Sequence, residues 1–96
     1  MGIVTRSFEE VVNQYYEMLR LRMIDENILQ KAKETVKLLK NEVGHRGIMF
    51  TAAVYVAAEE LGTPITQREL SIMINCTEVA IRKWIYVLKK KRKEAG

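Results

Sequence analysis

The chain has 96 residues, 48% hydrophobic and 29% charged, with one proline and five glycines. That suits one small folded unit spanning residues 1–96 and excludes a disordered or low-complexity chain. The longest apolar run, residues 48–58, includes Thr51 and is 11 residues long, short of the roughly 18–20 that a membrane helix needs.

No secretory signal is read at Met1–Arg6, and the lone Cys76 cannot form an internal disulfide. Both features suit a reducing, intracellular setting, with a cytoplasmic, nucleoid-associated location expected. The net charge of +4 is unevenly spread: residues 1–65 sum to −1 and residues 66–96 to +5. Such asymmetry points to an anionic partner for the last third, nucleic acid or a membrane surface, or else to a solubilising tail.

Five helices are expected. Ser7 and Glu10 have the spacing of a capping box. The first helix follows to about Met23, with Phe8, Val11, Val12, Tyr15, Met18 and Leu19 at helical spacing. Of the two tyrosines, Tyr15 and Tyr16, one is expected inward and one at the rim. Asp25 is a good N-cap for the second helix. Its apolar stripe reads Ile28, Ala32, Val36, Leu39 and Val43, with Lys31, Lys33, Glu34, Lys37 and Lys40 facing away.

After Gly44–Gly47 the third helix runs from Ile48 to about Leu61 and is apolar nearly all round. A helix with no polar face must be enclosed by its neighbours, so this one is expected at the centre. Gly62 suits the left-handed position that ends it, and Pro64 prevents continuation. Thr66 and Glu69 have capping-box spacing for a short fourth helix through about Ile74. Asn75-Cys76 makes a tight break, Thr77 caps the fifth helix, and that helix runs to about Lys91 before fraying through Lys93–Gly96.

Residues 66–91 therefore have the layout of a helix-turn-helix: a short capped helix, a tight turn and a longer basic helix. Asn75 stands where the turn needs a residue tolerant of a left-handed backbone. Cys76 reads as a small packing plug and not as a reactive thiol. On a helical wheel Ile81, Trp84, Ile85 and Leu88 share one side, and Val79, Arg82, Lys83, Tyr86, Lys90 and Lys93 the other.

That second face suits a DNA major groove. Arginine donates bidentately to guanine, and valine touches a thymine methyl. Lysines and tyrosine hydroxyls hold phosphates. Val79 and Arg82 are accordingly expected on bases, and Lys83, Tyr86, Lys89 and Lys90 on the DNA backbone, with Gln67 and Arg68 at the start of the fourth helix adding to the site. The same pattern also describes a basic, solvated helix in a five-helix bundle.

Other residues carry plainer readings. His45, the one histidine, reads as a loop or cap residue beside Arg46. Glu9/Glu10 and Glu59/Glu60 read as solvated helix faces. No phosphate loop, metal-ligand spacing or nucleophile motif is present, so neither catalysis nor a metal or cofactor is expected.

Four segments, Arg46-Gly47-Ile48, Ala52–Ala57, Thr66–Leu70 and Thr77–Arg82, resemble the second cyclin-like repeat of the transcription factor IIB family, and most of all its archaeal form, transcription factor B. The resemblance covers residues 46–82 and extends more loosely over 25–45. It implies an all-α, five-helix, cyclin-like domain with a buried third helix. It also implies binding of the promoter element beside the TATA box, with a valine and an arginine of the last helix on bases. Those positions fall on Val79 and Arg82. TATA-binding protein and RNA polymerase are the implied partners.

The chain departs from the family pattern in places. It has no pair of cysteine ligands for a zinc ribbon and room for only one repeat. Asn75 replaces the turn glycine, Ala80 a threonine, and Trp84 and Ile85 stand where the family has polar and aromatic residues. A single repeat also suits a protein-interaction module that docks TATA-binding protein, polymerase or a second copy of itself as a homodimer. A membrane-surface binder using Lys89–Lys93 fits less well, because the apolar stripe of the fifth helix is required by the core.

Overall fold

The computed structural model describes residues 6–95. The readings of residues 1–5 as lacking a signal and of Gly96 as part of a frayed end lie outside the described residues. The protein is all-helical: α1 (Phe8–Leu21), α2 (Glu26–Thr35), a 3-10 turn (Val36–Leu39), α3 (Arg46–Glu60), α4 (Gln67–Ile74) and α5 (Glu78–Ala95). Among the described residues no helix is long and apolar enough to cross a membrane.

Local chemistry sets most of the helix starts. The Ser7 hydroxyl accepts from the Glu10 amide at 3.2 Å, and the Glu10 carboxylate accepts in return from the Ser7 amide, completing the box. The Asp25 carboxylate accepts from the Asn27 amide at 2.7 Å. The Thr66 hydroxyl accepts from the Glu69 amide at 3.1 Å, one half of the expected box. Such caps each stabilise a helix by roughly 1 kcal/mol.

The third helix begins two residues earlier than expected because His45 caps it, its Nδ1 accepting from the Ile48 amide at 3.2 Å. At its other end Gly62 adopts φ 78°, and the Thr63 amide reaches back to the Ala58 carbonyl. That is the left-handed helix stop that glycine permits.

α3 is the axis of the molecule. Met49, Phe50, Ala52, Ala53, Val54, Val56, Ala57 and Ala58 are all buried. Thr51 is buried too, and its hydroxyl is satisfied by donating to the Gly47 carbonyl at 2.8 Å. α2 and α5 pack most extensively on α3, with α1 next. α1 contributes Phe8, Val12, Tyr16 and Leu19 to the core. Tyr16 is the inward tyrosine, its hydroxyl accepting from Gln30 of α2 at 2.9 Å, and Tyr15 lies at the rim.

Several boundaries differ from the sequence expectation. α1 stops at Leu21, and Met23 takes a left-handed backbone (φ 71°) in the turn that follows. The stripe of the second helix does not reach Val43, which is 95% exposed. α2 gives way after Thr35 to the 3-10 turn, whose three residues per turn rotate the later positions off the helical register. Lys31 and Lys33 do not simply face away: both are half-buried, Lys31 3.9 Å from Glu60 and Lys33 over the Tyr16 ring. The fifth helix does not fray after Lys91, because residues 92–95 remain helical.

Gly44 sets how closely the loop before α3 approaches α5. A Cβ there would lie 2.3 Å from Cζ2 of Trp84, a buried ring of α5. Gly44→Ala is therefore expected to displace Trp84 and destabilise the fold by about 1–3 kcal/mol, the usual cost of overpacking. Trp84 is the one tryptophan, so urea unfolding followed by its fluorescence checks both effects: an earlier midpoint and a red-shifted native emission.

Candidate nucleic-acid interface

α4 and α5 are joined by a turn that their own residues close. Asn75 adopts φ 55° and ψ 55°, the left-handed region that asparagine tolerates better than most residues. The Cys76 amide bonds the Ser71 carbonyl at 3.0 Å and the Asn75 amide bonds Ile72, which stops α4. The Thr77 hydroxyl then accepts from the Ala80 amide at 3.2 Å, starting α5. Leu70 of α4 and Ile81 of α5 are both fully buried, and the two helices pack against each other. Cys76 is half-buried with its thiol directed at the Thr77 carbonyl, and burial pushes the thiol pKa up. Its thiolate is thereby disfavoured, as its reading as packing requires.

Ile81, Trp84, Ile85 and Leu88 anchor α5 on the core. The opposite strip faces solvent. Val79 is 68% and Tyr86 70% exposed, and Arg82, Lys83, Lys90 and Lys93 are exposed with them. No acidic residue occurs between Val79 and Lys93. Among the described residues Arg68, Arg82, Lys83, Lys90 and Lys93 take part in no ion pair. The Lys83 ammonium lies 5.0 Å from the centre of the Trp84 ring.

The remaining cations of α5 turn toward the body of the protein. Lys89 is 3.0 Å from Glu59, Lys91 3.1 Å from Glu42 and Arg92 2.7 Å from Glu60. Lys89, expected on the DNA backbone, is thus engaged by a carboxylate at the end of α3, and it stands at the margin of the strip. Lys93, left out of the expected contact set, stands on the exposed strip with Lys90. Because Glu42, Glu59 and Glu60 lie 30–49 residues away in sequence, only the fold reveals these pairs.

Gln67 and Arg68, the first residues of α4, lie beside the start of α5. Gln67 is half-buried, and its side-chain oxygen accepts from Arg82 Nε at 3.2 Å. With Tyr55, Pro64, Ile65, Thr66, Arg68 and Glu78 it lines an open cleft of about 350 Å³ at this elbow. The structure thus brings Gln67, Val79, Arg82, Lys83, Tyr86 and Lys90 to one side of the two helices. Among the described residues no three His, Cys, Asp or Glu side chains gather into a metal-binding set. No protein-family model, curated protein or solved structure matches the chain.

The turn makes its own prediction. Asn75→Ala is expected to lose about 1 kcal/mol because alanine is strained in the left-handed region, whereas Asn75→Gly should match or exceed the parent. Thermal unfolding of the two variants side by side checks the order.

Proposed function

We propose that this protein is a DNA-binding module that presents the exposed strip of α5 to the major groove of duplex DNA. The observation that carries the reading is the strip itself: an aromatic, a valine and cations free of carboxylate partners, on a helix whose other side is fixed in the core. An α-helix with side chains is about 10–12 Å across, and the major groove is about 12 Å wide. Val79 and Arg82 sit in the first turns of α5, the part of a recognition helix that comes nearest the base edges. Lys83, Tyr86 and Lys90 hold phosphates along the groove, and Arg68, at the N-terminus of α4, meets the flanking backbone.

The sequence resemblance to the second cyclin-like repeat of the transcription factor IIB family supports a more specific version. In it the duplex is a promoter, the domain is cyclin-like, and TATA-binding protein and RNA polymerase are partners in transcription initiation. Binding by this chain alone supplies few phosphate contacts, so a partner on the same DNA raises its occupancy through linkage.

Fluorescence anisotropy with a promoter-type duplex and a scrambled duplex, at two salt concentrations and with or without TATA-binding protein, tests the proposal. Arg82→Ala is expected to lose about 1–3 kcal/mol on the preferred duplex and to erase the preference. Lys90→Ala should weaken both duplexes alike and flatten the salt dependence by about one unit of slope. Lys89→Ala, whose ammonium already serves Glu59, should cost less than Lys90→Ala. Equal losses on both duplexes for Arg82→Ala would contradict base reading.

A further inference from the structure

We infer that Gln67 is a positioning residue that orients Arg82 for end-on recognition of a guanine. The inference rests on the DNA-reading proposal and adds the geometry by which the arginine reads. Arg82 is exposed on the first turns of α5, where a long side chain is free to sample many rotamers. Here one atom is held. Nε donates to the side-chain oxygen of Gln67, at 3.2 Å, across the turn from another helix.

Among the described residues this is the only side-chain hydrogen bond Arg82 makes, and the guanidinium forms no ion pair with a carboxylate. Gln67 is itself constrained. It is half-buried, it is the first residue of α4 after the Thr66 cap, and it lies in the wall of the elbow cleft.

The guanidinium has five N–H donors in a planar fork. Occupying Nε removes the side-on mode, in which Nε and one Nη donate together. The two Nη groups remain, side by side at the tip of the chain. That pair matches the O6 and N7 acceptors on the major-groove edge of guanine, and adenine, with a donor in place of O6, does not match it. Gln67 thus lowers the ordering cost of Arg82 on binding and selects which edge of the fork is offered. Its neutral amide does this without the attraction that a carboxylate would exert on the cation or the repulsion it would exert on phosphate.

The experiment begins with selection of duplexes from a randomised library by the full chain. The guanine in question is the position whose preference Arg82→Ala removes. Preference is then measured as the ratio of affinities for the selected duplex and for one with that guanine replaced by adenine. Gln67→Ala is expected to lower this ratio by roughly 2- to 10-fold, the value of one modest hydrogen bond, with little change on the adenine duplex. Gln67→Glu, whose carboxylate accepts the same Nε–H, should keep the ratio while weakening every duplex through its charge. In the Arg82→Ala background, Gln67→Ala should change the ratio no further.

Equal weakening of both duplexes by Gln67→Ala, or effects that add in the double variant, would overturn the positioning role and leave base reading by Arg82 intact. An Arg82→Ala variant that keeps the wild-type preference would overturn the base-reading proposal itself, and the positioning role with it. Circular dichroism of each variant confirms that the helices are retained.

Discussion

A helix that is apolar on every side has no face it can turn to water, and α3 is such a helix. Its ten buried residues must be covered at once from several directions, and the rest of the chain is arranged to do it. α2 and α5 take the largest shares and α1 closes the remaining side, while alanines at 52, 53, 57 and 58 let the neighbours come close. For the proposed DNA binding the consequence is direct. α5 commits Ile81, Trp84, Ile85 and Leu88 to this task, so its opposite strip is fixed outward and cannot roll. The approach of Trp84 to Gly44 sets the roll angle further. A rigid presentation of this kind is what a groove-reading helix requires.

The sequence shows the parts of this plan that depend on neighbours in the chain. Ser7, Asp25, Thr66 and Thr77 each place an oxygen two or three residues before an unpaired amide, and each caps a helix in the structure. The stop at Gly62 and the left-handed Asn75 follow from backbone preference alone. The buried and exposed sides of α5 follow from its period. What the sequence hides depends on distant residues or on small changes of helical pitch. The 3-10 turn after Thr35 breaks the register and leaves Val43 in solvent, and no composition signal in Val36–Leu39 announces it. Met23 adopts a left-handed backbone where glycine or asparagine would be easier; it does so because the Ile24 amide bonds back to the Leu19 carbonyl and the Met23 amide to that of Arg20, the bond pattern of a left-handed helix stop.

The distribution of charge shows the same division. Read as sequence, Lys89–Lys93 is an unbroken run of cations that follows Arg82 and Lys83. In the fold these cations separate into two sets. Glu42, Glu59 and Glu60 draw Lys91, Lys89 and Arg92 toward the body and tie the last turns of α5 to the core. Arg82, Lys83, Lys90 and Lys93 stay outward. Pairs this exposed add little stability each. Their larger effect is to leave the unpaired cations of α5 on one strip, where the Gln67–Arg82 bond holds one guanidinium by its Nε.

A two-dimensional amide NMR titration of the labelled protein with a short DNA duplex decides whether the outward strip of α5 meets DNA. Shifts are expected to concentrate at Gln67, Arg68, Val79, Arg82, Lys83, Tyr86 and Lys90, with the outer faces of α1 and α2 unmoved. Shifts centred on α1 and α2, or a spectrum unchanged at saturating duplex and low salt, would contradict DNA binding through this strip.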